Sequence, residues 1–473
     1  MEITHCAKTA LAWLAITILS AWNTPLQAQR PATFPPPDSI KKPRGEEKNY
    51  WRPVAEITGL NAGVWAFDRY ILNEEGARIS IHSIRNNLGR KFILDNDSFS
   101  TNLFSHPYHG GLYFNTARAN GMNFWQSIPF AVFGSYMWET VWEKCPPSLN
   151  DIIATPLGGM AMGEVTHRLS HLLLDDSKRG WARFLREFLA GIISPADLLN
   201  RALSGKAWKY HPPYESGDAP YLRRPFQLRL SVANGVLAGL HENKSAFNMN
   251  AGVEIDYGEP FSEEPHSPYD CFKGEIDLRL TGRQPFLSAI SLTGLLWGKE
   301  WNRKEQSWLA GVFQHFDYYD SNPVVEGGQR PYKFAETASF GAGLMYAGTR
   351  RNSAPGFTGE LFANLVLLGA GDPDNCAVDK RNYHFGNGYS LKFNGAFSFG
   401  KKFDAAFGIK HYRILTTKLE RINFALGCRL SKHIRLSAER QLYFRHSHRA
   451  SLPDVSTRAT ESRLKITCIL FDK

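Results

Sequence analysis

The stretch Thr155–His171, TPLGGMAMGEVTHRLSH, puts a carboxylate and two imidazoles at chemically useful spacing. On a helix Glu164, His167 and His171 fall within about 60° of one another in projection, at 100° per residue. Glu-x-x-His is half of a carboxylate-bridged metal site, which needs a second such pair and further glutamates from facing helices. Glu139 and Glu143 offer carboxylates, but the helical half of the chain holds no second Glu-x-x-His. Nor is the motif His-Glu-x-x-His, so a zinc-peptidase helix is unsupported. Metal binding stays open, and no cofactor is expected.

The wider polar set is His106, His109, Asn115, Arg118, Asn120, Glu139, Glu143, Ser148, Asn150, Asp151, Glu164, His167, Arg168 and His171. Two chemistries fit it. His106, His109, Glu139, Glu164 and His167 are catalytic candidates for acid–base work on a lipid ester. In the other reading Arg118, Glu143, Asn150, Asp151, Arg168 and His171 join them in a buried network that clamps helices together. Ser135, Glu139 and Glu143 repeat every four residues on an apolar helix, and a carboxylate on a buried face must be paired, protonated or bound. The G-x-S-x-G elbow of hydrolases is missing.

The elements that must position these residues have a helical period from Tyr50 to about Gly205. Val54–Asn73, Ala77–Leu88 and Phe124–Glu143 are apolar on most faces. Ser148-Leu149-Asn150-Asp151 has the form of a capping box, and Thr155-Pro156 is expected to start the helix of the opening motif. Gly159 and Gly163 form a patch where another backbone can approach closely. Ser194-Pro195-Ala196-Asp197 predicts another capped start. Trp181, Phe184, Leu185, Phe188, Leu189, Ile192 and Ile193 make one apolar stripe, expected to dock on the protein's own core, with a membrane surface as the alternative. Phe124–Trp142 approaches the length of an inner-membrane span, but Gln126, Pro129 and Glu139 favour a buried helix.

Beyond residue 222 the period becomes two. Leu464, Ile466, Cys468 and Leu470 alternate with Arg463, Lys465 and Thr467, and eleven similar runs precede them from 225–239 to 433–445. Twelve strands of this length suit an outer-membrane barrel better than a soluble sandwich. Connections after 445, 413, 369 and 318 read as longer than those after 430, 399 and 347. The long segment 259–272 breaks that alternation.

Residues 1–28 read as a signal peptide, with the apolar run ALAWLAITILSAW ahead of Leu26-Gln27-Ala28. Residues 29–49 read as a Pro-rich linker. Cys145, Cys271, Cys376, Cys428 and Cys468 are widely spaced and odd in number, which argues against a disulfide framework. The net charge of +10 comes with no nucleic-acid motif, so lipids or lipopolysaccharide phosphates of the outer membrane are the expected partners, with envelope proteins a further possibility.

Two segments carry a family resemblance: SHPYHGGLYFNTARANGMNFWQSIPFAVFGSYMWE and PPSLNDIIATPLGGMAMGEVTHRLS. Their motifs His-Pro-Tyr-x-Gly, Pro-Ser-x-Asn-Asp, Thr-Pro-x-Gly-Gly and Gly-Glu-x-x-His-Arg resemble a bacterial family catalogued as domain of unknown function 3943, over about residues 100–175. The resemblance implies an exported envelope protein with a β-rich C-terminal part, and no reaction. The expected architecture is α+β: a helical domain at 50–205, then an antiparallel outer-membrane barrel of about 12 strands at 222–473. The expected role is structural or transport-related in the Gram-negative envelope, the alternative a lipid-modifying hydrolase acting on phospholipid or lipid A.

Overall fold

A computed structural model describes residues 48–210 and 225–472, apart from short stretches at 241–243, 263–265, 304, 349–355, 373–381 and 450–451. The signal-peptide reading, most of the linker and Cys376 lie outside the described residues. The other four cysteines past residue 28 are free thiols.

The C-terminal part is a closed antiparallel barrel of twelve strands, each paired with its sequence neighbours and β1 with β12. The strands are β1 (Phe226–Gly239), β2 (Lys244–Tyr257), β3 (Phe272–Arg279), β4 (Leu287–Arg303), β5 (Gln306–Asp320), β6 (Lys333–Gly348), β7 (Gly356–Gly371), β8 (His384–Phe399), β9 (Phe403–Ile414), β10 (Thr417–Arg429), β11 (Ile434–Arg449) and β12 (Leu452–Asp472). Alternation sorts their side chains. Leu361, Leu365, Leu391, Phe424, Leu426, Leu464 and Ile466 are exposed on the outer surface, and charged residues of the alternate positions turn inward.

The lumen is crossed by side chains. Tyr412 of β9 donates to Asp317 of β5 at 2.6 Å, and Lys410 donates to Ser291 of β4 at 2.9 Å and to Tyr319 of β5 at 3.1 Å. Lys392 holds the same Asp317 at 2.7 Å. Strands three to five places apart around the wall are thus tied through the interior. Tyr332, Phe334, Tyr412, Ile414 and Tyr443 pack across the end far from the termini. Leu295, Leu309, Phe313 and Phe362 pack near the other end, with Phe261 of the β2–β3 connection against them. Between them lies a cavity of about 160 Å³, lined by Glu254, Asp277, Ser291, Arg421, Gln441 and Arg463 among others.

The described residues of the N-terminal part form seven α-helices: α1 (Trp51–Phe67), α2 (Ile81–Gly89), α3 (His106–Ala119), α4 (Phe124–Met137), α5 (Leu149–Leu173), α6 (Gly180–Ile193) and α7 (Pro195–Leu203). Wider π turns extend α1 and α4 and lead into α3. Among the described residues no helix is long and apolar enough to cross a membrane.

Helix α5 differs from its expected start. Ser148 caps it, accepting from the Asp151 N–H, and the helix runs through Pro156 without a break. One lost hydrogen bond at Pro156 is outweighed by close packing on either side. A Cβ on Gly159 would lie 2.4 Å from the Gly110 carbonyl carbon of α3, and one on Gly163 would lie 3.0 Å from the Gly111 oxygen. The two helices therefore touch backbone to backbone along the predicted glycine patch.

The helical domain lies along the barrel's outer wall. On β5 the odd positions 317 and 319 face the lumen, whereas Gln314, Phe316 and Tyr318 face outward and meet helices. Gln314 donates to the Leu157 carbonyl at 2.7 Å, and Phe99 packs on Tyr318 with ring centres 5.3 Å apart. Ile290, Leu292, Ala335, Ala338, Leu368 and Ala370 extend this covered patch across β4–β7. The long β2–β3 connection is part of the seam: Tyr269 stacks on Phe124 and donates to Gln314 at 2.9 Å, and Asp270 binds Arg168 at 3.0 Å. That role accounts for its breaking the alternation of loop lengths. The alternation also fails after β9 and β11, which connect to the next strand through two residues each.

Candidate functional site

Helix α5 is the spine of the polar set, and it separates the candidates into two clusters. Asp151 in its first turn and His167 near its end are sixteen residues apart, about 24 Å along the axis.

The first cluster surrounds the start of α5. Ser148 N–H donates to Glu139 at 2.7 Å, so the glutamate completes the cap that Asp151 was expected to close. Asn150 donates to Asp95 at 3.1 Å and to Asp151 at 2.9 Å. His106 Nε2 lies 3.7 Å from Asp151 and 4.0 Å from Asp97. Asn87 donates to the carbonyls of Glu143 and Cys145, tying α2 to the end of α4. Carboxylates outnumber cations here. Burial and neighbouring acids push Glu139 and Asp151 well above the usual range. Burial likewise brings Glu143 to about 7, against the pull of His106. For His106, burial works downward but Asp151 and the other acids prevail and lift it to about 10. His109 points away from them, packed on Tyr113 and Trp138, and burial with the His106 charge drops it to about 3.

The second cluster lies in the other half of α5. Glu164, fully buried, accepts from Arg118 at 2.8 Å and from Arg168 at 2.7 Å. Burial alone would raise its carboxyl, but the two guanidinium groups hold it below the usual value. Arg168 continues to Asp270 and the Pro268 carbonyl on the barrel. His167 faces Asp197 of α7 at 3.0 Å, and His171 Nδ1 lies 2.8 Å from the His167 carbonyl. Asp197 was expected to act as a helix cap; instead it turns inward to His167 and Ser170.

His106 and Glu139 therefore share one cluster, Glu164 and His167 share the other, and His109 belongs to neither. Glu139, Glu164 and His167 are nearly sealed from solvent. Asp95, Asp97, Asp197 and Asp270 join these clusters without having stood out in the sequence. They sit in loops or a helix's first turn, where an aspartate reads as a turn or cap residue.

Outside these clusters, α6 and one side of α4 are turned inside out. On α6 the stripe expected in the core is exposed: Trp181 at 75%, Phe184 at 51% and Phe188 at 48%, while Arg183 and Glu187 are each 8% exposed. Glu187 is held inside by Arg201 of α7 at 2.7 Å, and Arg183 donates to the Lys206 and Lys209 carbonyls. Helix α4, expected to be buried, bares Trp125, Val132, Phe133 and Tyr136 along one side.

No curated protein compared with the chain matches it in sequence. Among solved structures, the KdgM porin aligns with 50% of this chain and 98% of its own at 9% identity and a TM-score of 0.25. The NanC porin aligns with 51% of this chain and 100% of its own at 9% identity and 0.29. The COG4313 outer membrane channel from Pseudomonas putida F1 aligns with 52% and 96% at 7% identity and 0.30. The barrel described above rests on its own strand pairing. The sequence comparison with protein families is more specific: residues 91–196, which hold α3 to α6 and every site candidate read from the sequence, match the family described as Domain of unknown function (DUF3943).

Proposed function

We propose that this protein is an outer-membrane barrel of the Gram-negative envelope that serves as a membrane-borne support for its helical domain, rather than as an open diffusion pore. The observation that carries the reading is a shared inversion of polarity. The barrel strands and helix α6 both turn charges inward and bare apolar side chains, and on the barrel the bare surface borders the patch that the helices cover. On β7, Leu365 and Leu367 are exposed while Leu368 and Ala370, a few residues on, are covered by helices. Large contiguous apolar surface suits acyl chains and is rare against water. Outer-membrane lipids or lipopolysaccharide are then the immediate partners, and the chain's positive charge suits their phosphates. Export through a cleaved signal peptide belongs to the same reading.

A transport role would require the side chains crossing the lumen to move, since ion pairs and stacked tyrosines occupy it. The hydrolase reading is weaker, because its five candidates do not converge on one pocket.

Purified protein folded in vesicles tests the proposal. Migration on a denaturing gel should shift on heating, and planar bilayers should show no steady conductance. Tryptophan emission should be quenched by brominated acyl chains, and less so in Trp181→Leu. A steady open-pore conductance would replace the support role with a channel. Emission quenched by iodide and untouched by bromolipid would remove the helical domain from the lipid face.

A further inference from the structure

His167 and His171 are one turn apart on α5, and Asp197 meets them from the first turn of α7. One donor atom from each lies within 4.8 Å of the others. His167 and Asp197 are buried, and His171 is partly exposed, which leaves a way in from its side. His167 Nδ1 is 3.0 Å from both Oδ1 and Oδ2 of Asp197, on the midline of the carboxylate. His171 Nδ1 lies 2.8 Å from the His167 carbonyl oxygen. A carbonyl can only accept, so that nitrogen carries the proton and the lone pair of the neutral ring is on Nε2. Fixing a histidine's tautomer with a backbone carbonyl is the usual outer-shell device of a metal site. Ser170 Oγ, 3.2 Å from Asp197 Oδ2, steadies the carboxylate. Glu164, the acid of the Glu-x-x-His motif, is engaged by Arg118 and Arg168 and takes no part.

We propose that His167, His171 and Asp197 bind one divalent first-row transition ion, of which Zn²⁺ is the representative. Two imidazoles and one carboxylate form a borderline N₂O donor set, which selects such ions over Mg²⁺ or Ca²⁺, whose sites are built from oxygen. Bonds of about 2.1 Å bring the donors of a tetrahedral site to roughly 3.0–3.6 Å apart, so the side chains need only a small approach. Three protein ligands leave the fourth position to water or another donor. The ion would join α5 to α7, two elements held otherwise by packing and polar contacts.

Zinc and cobalt binding to the folded full-length protein tests this. Stripped by chelation, reloaded with Zn²⁺ and dialysed, the wild type should retain one equivalent of zinc by elemental analysis, and the stripped protein should give visible cobalt absorption with Co²⁺. His171→Gln and Asp197→Asn should each lose at least tenfold in zinc affinity while keeping heat-modifiable migration. Wild type with no bound zinc and no visible cobalt band would overturn the site, whatever the variants do. So would unchanged zinc affinity in both variants.

Discussion

Glu164 and Asp151 lie on one helix, both almost wholly buried, and their neighbours make them opposites. Glu164 is held between two guanidinium groups. Asp151 shares its space with Asp95 and Glu139, and His106 is the nearest cation. A buried acid with matched cations stays charged and clamps elements together. A buried acid among acids has its pKa pushed up, and with a single histidine beside it becomes part of a titrating pair. The two ends of α5 therefore differ in what removing a charge should do, and in how they should answer to pH.

The widest separation is expected from Arg118→Leu against Asp151→Asn. Losing Arg118 leaves Glu164 short of one partner in a dry interior, at a cost of about 3–5 kcal/mol. Asp151→Asn keeps the shape and removes an acid from a crowded set, so its effect should stay within about 1 kcal/mol. Urea midpoints for protease resistance of the helical domain measure both. Equal losses would erase the distinction between the two ends.

The next effect concerns the α3–α5 contact that both ends share. Gly159→Ala would place a methyl 2.4 Å from the Gly110 carbonyl carbon, so backbone must shift. A loss of about 1–3 kcal/mol is expected by the same measurement, with the barrel's heat-modifiable migration kept. Unchanged stability would mean that the helices do not touch there.

The pH response is smaller and has a sign. A folded pKa raised above the unfolded one gives stability that is complete at low pH and lost as pH rises. Glu143 loses its share from about 4.5 to about 7, and His106 loses its share from about 6.5 to about 10. Glu164 is lowered, so its share is lost only on acidification below its ordinary value. Hydrogen-exchange protection factors, corrected for the intrinsic rise of exchange with pH, should fall in residues 87–106 and 138–151 from pH 5 to 9, while those of residues 160–170 hold. Glu143→Gln should remove the portion below pH 7. Uniform exchange across α5 would contradict the contrast.

Much of the barrel was legible because a period of two, sustained along strand after strand of bilayer-crossing length, suits few folds besides a closed sheet. The family segment was legible from its motifs, as was the glycine patch. The orientation of α6 was not. Trp181, Phe184 and Phe188 mark a stripe, but a stripe says only that one side differs from the other. Which side is inside depends on whether water or lipid surrounds the domain, and the pattern is the same in both. The partners of Arg168 and His167 were hidden for another reason. Asp270 is a hundred residues away in a loop, and Asp197 reads as a cap until α7 folds against α5.

Glycine spacing gives the finest version of the same lesson, and the smallest effect. Gly59 and Gly63 on α1 repeat the four-residue spacing of Gly159 and Gly163, yet a Cβ on either would meet nothing within 4 Å. They face an outer groove with Leu60, Val64, Phe67, Leu199 and Leu203. One pair is required by a neighbouring backbone; the other leaves the helix with needless conformational freedom. Gly63→Ala should therefore stabilise the helical domain by about 0.5–1 kcal/mol, opposite in sign to Gly159→Ala. A loss in Gly63→Ala would mean that something beyond the chain's own packing sits in that groove, and would set α1 beside α5 as a second contact face.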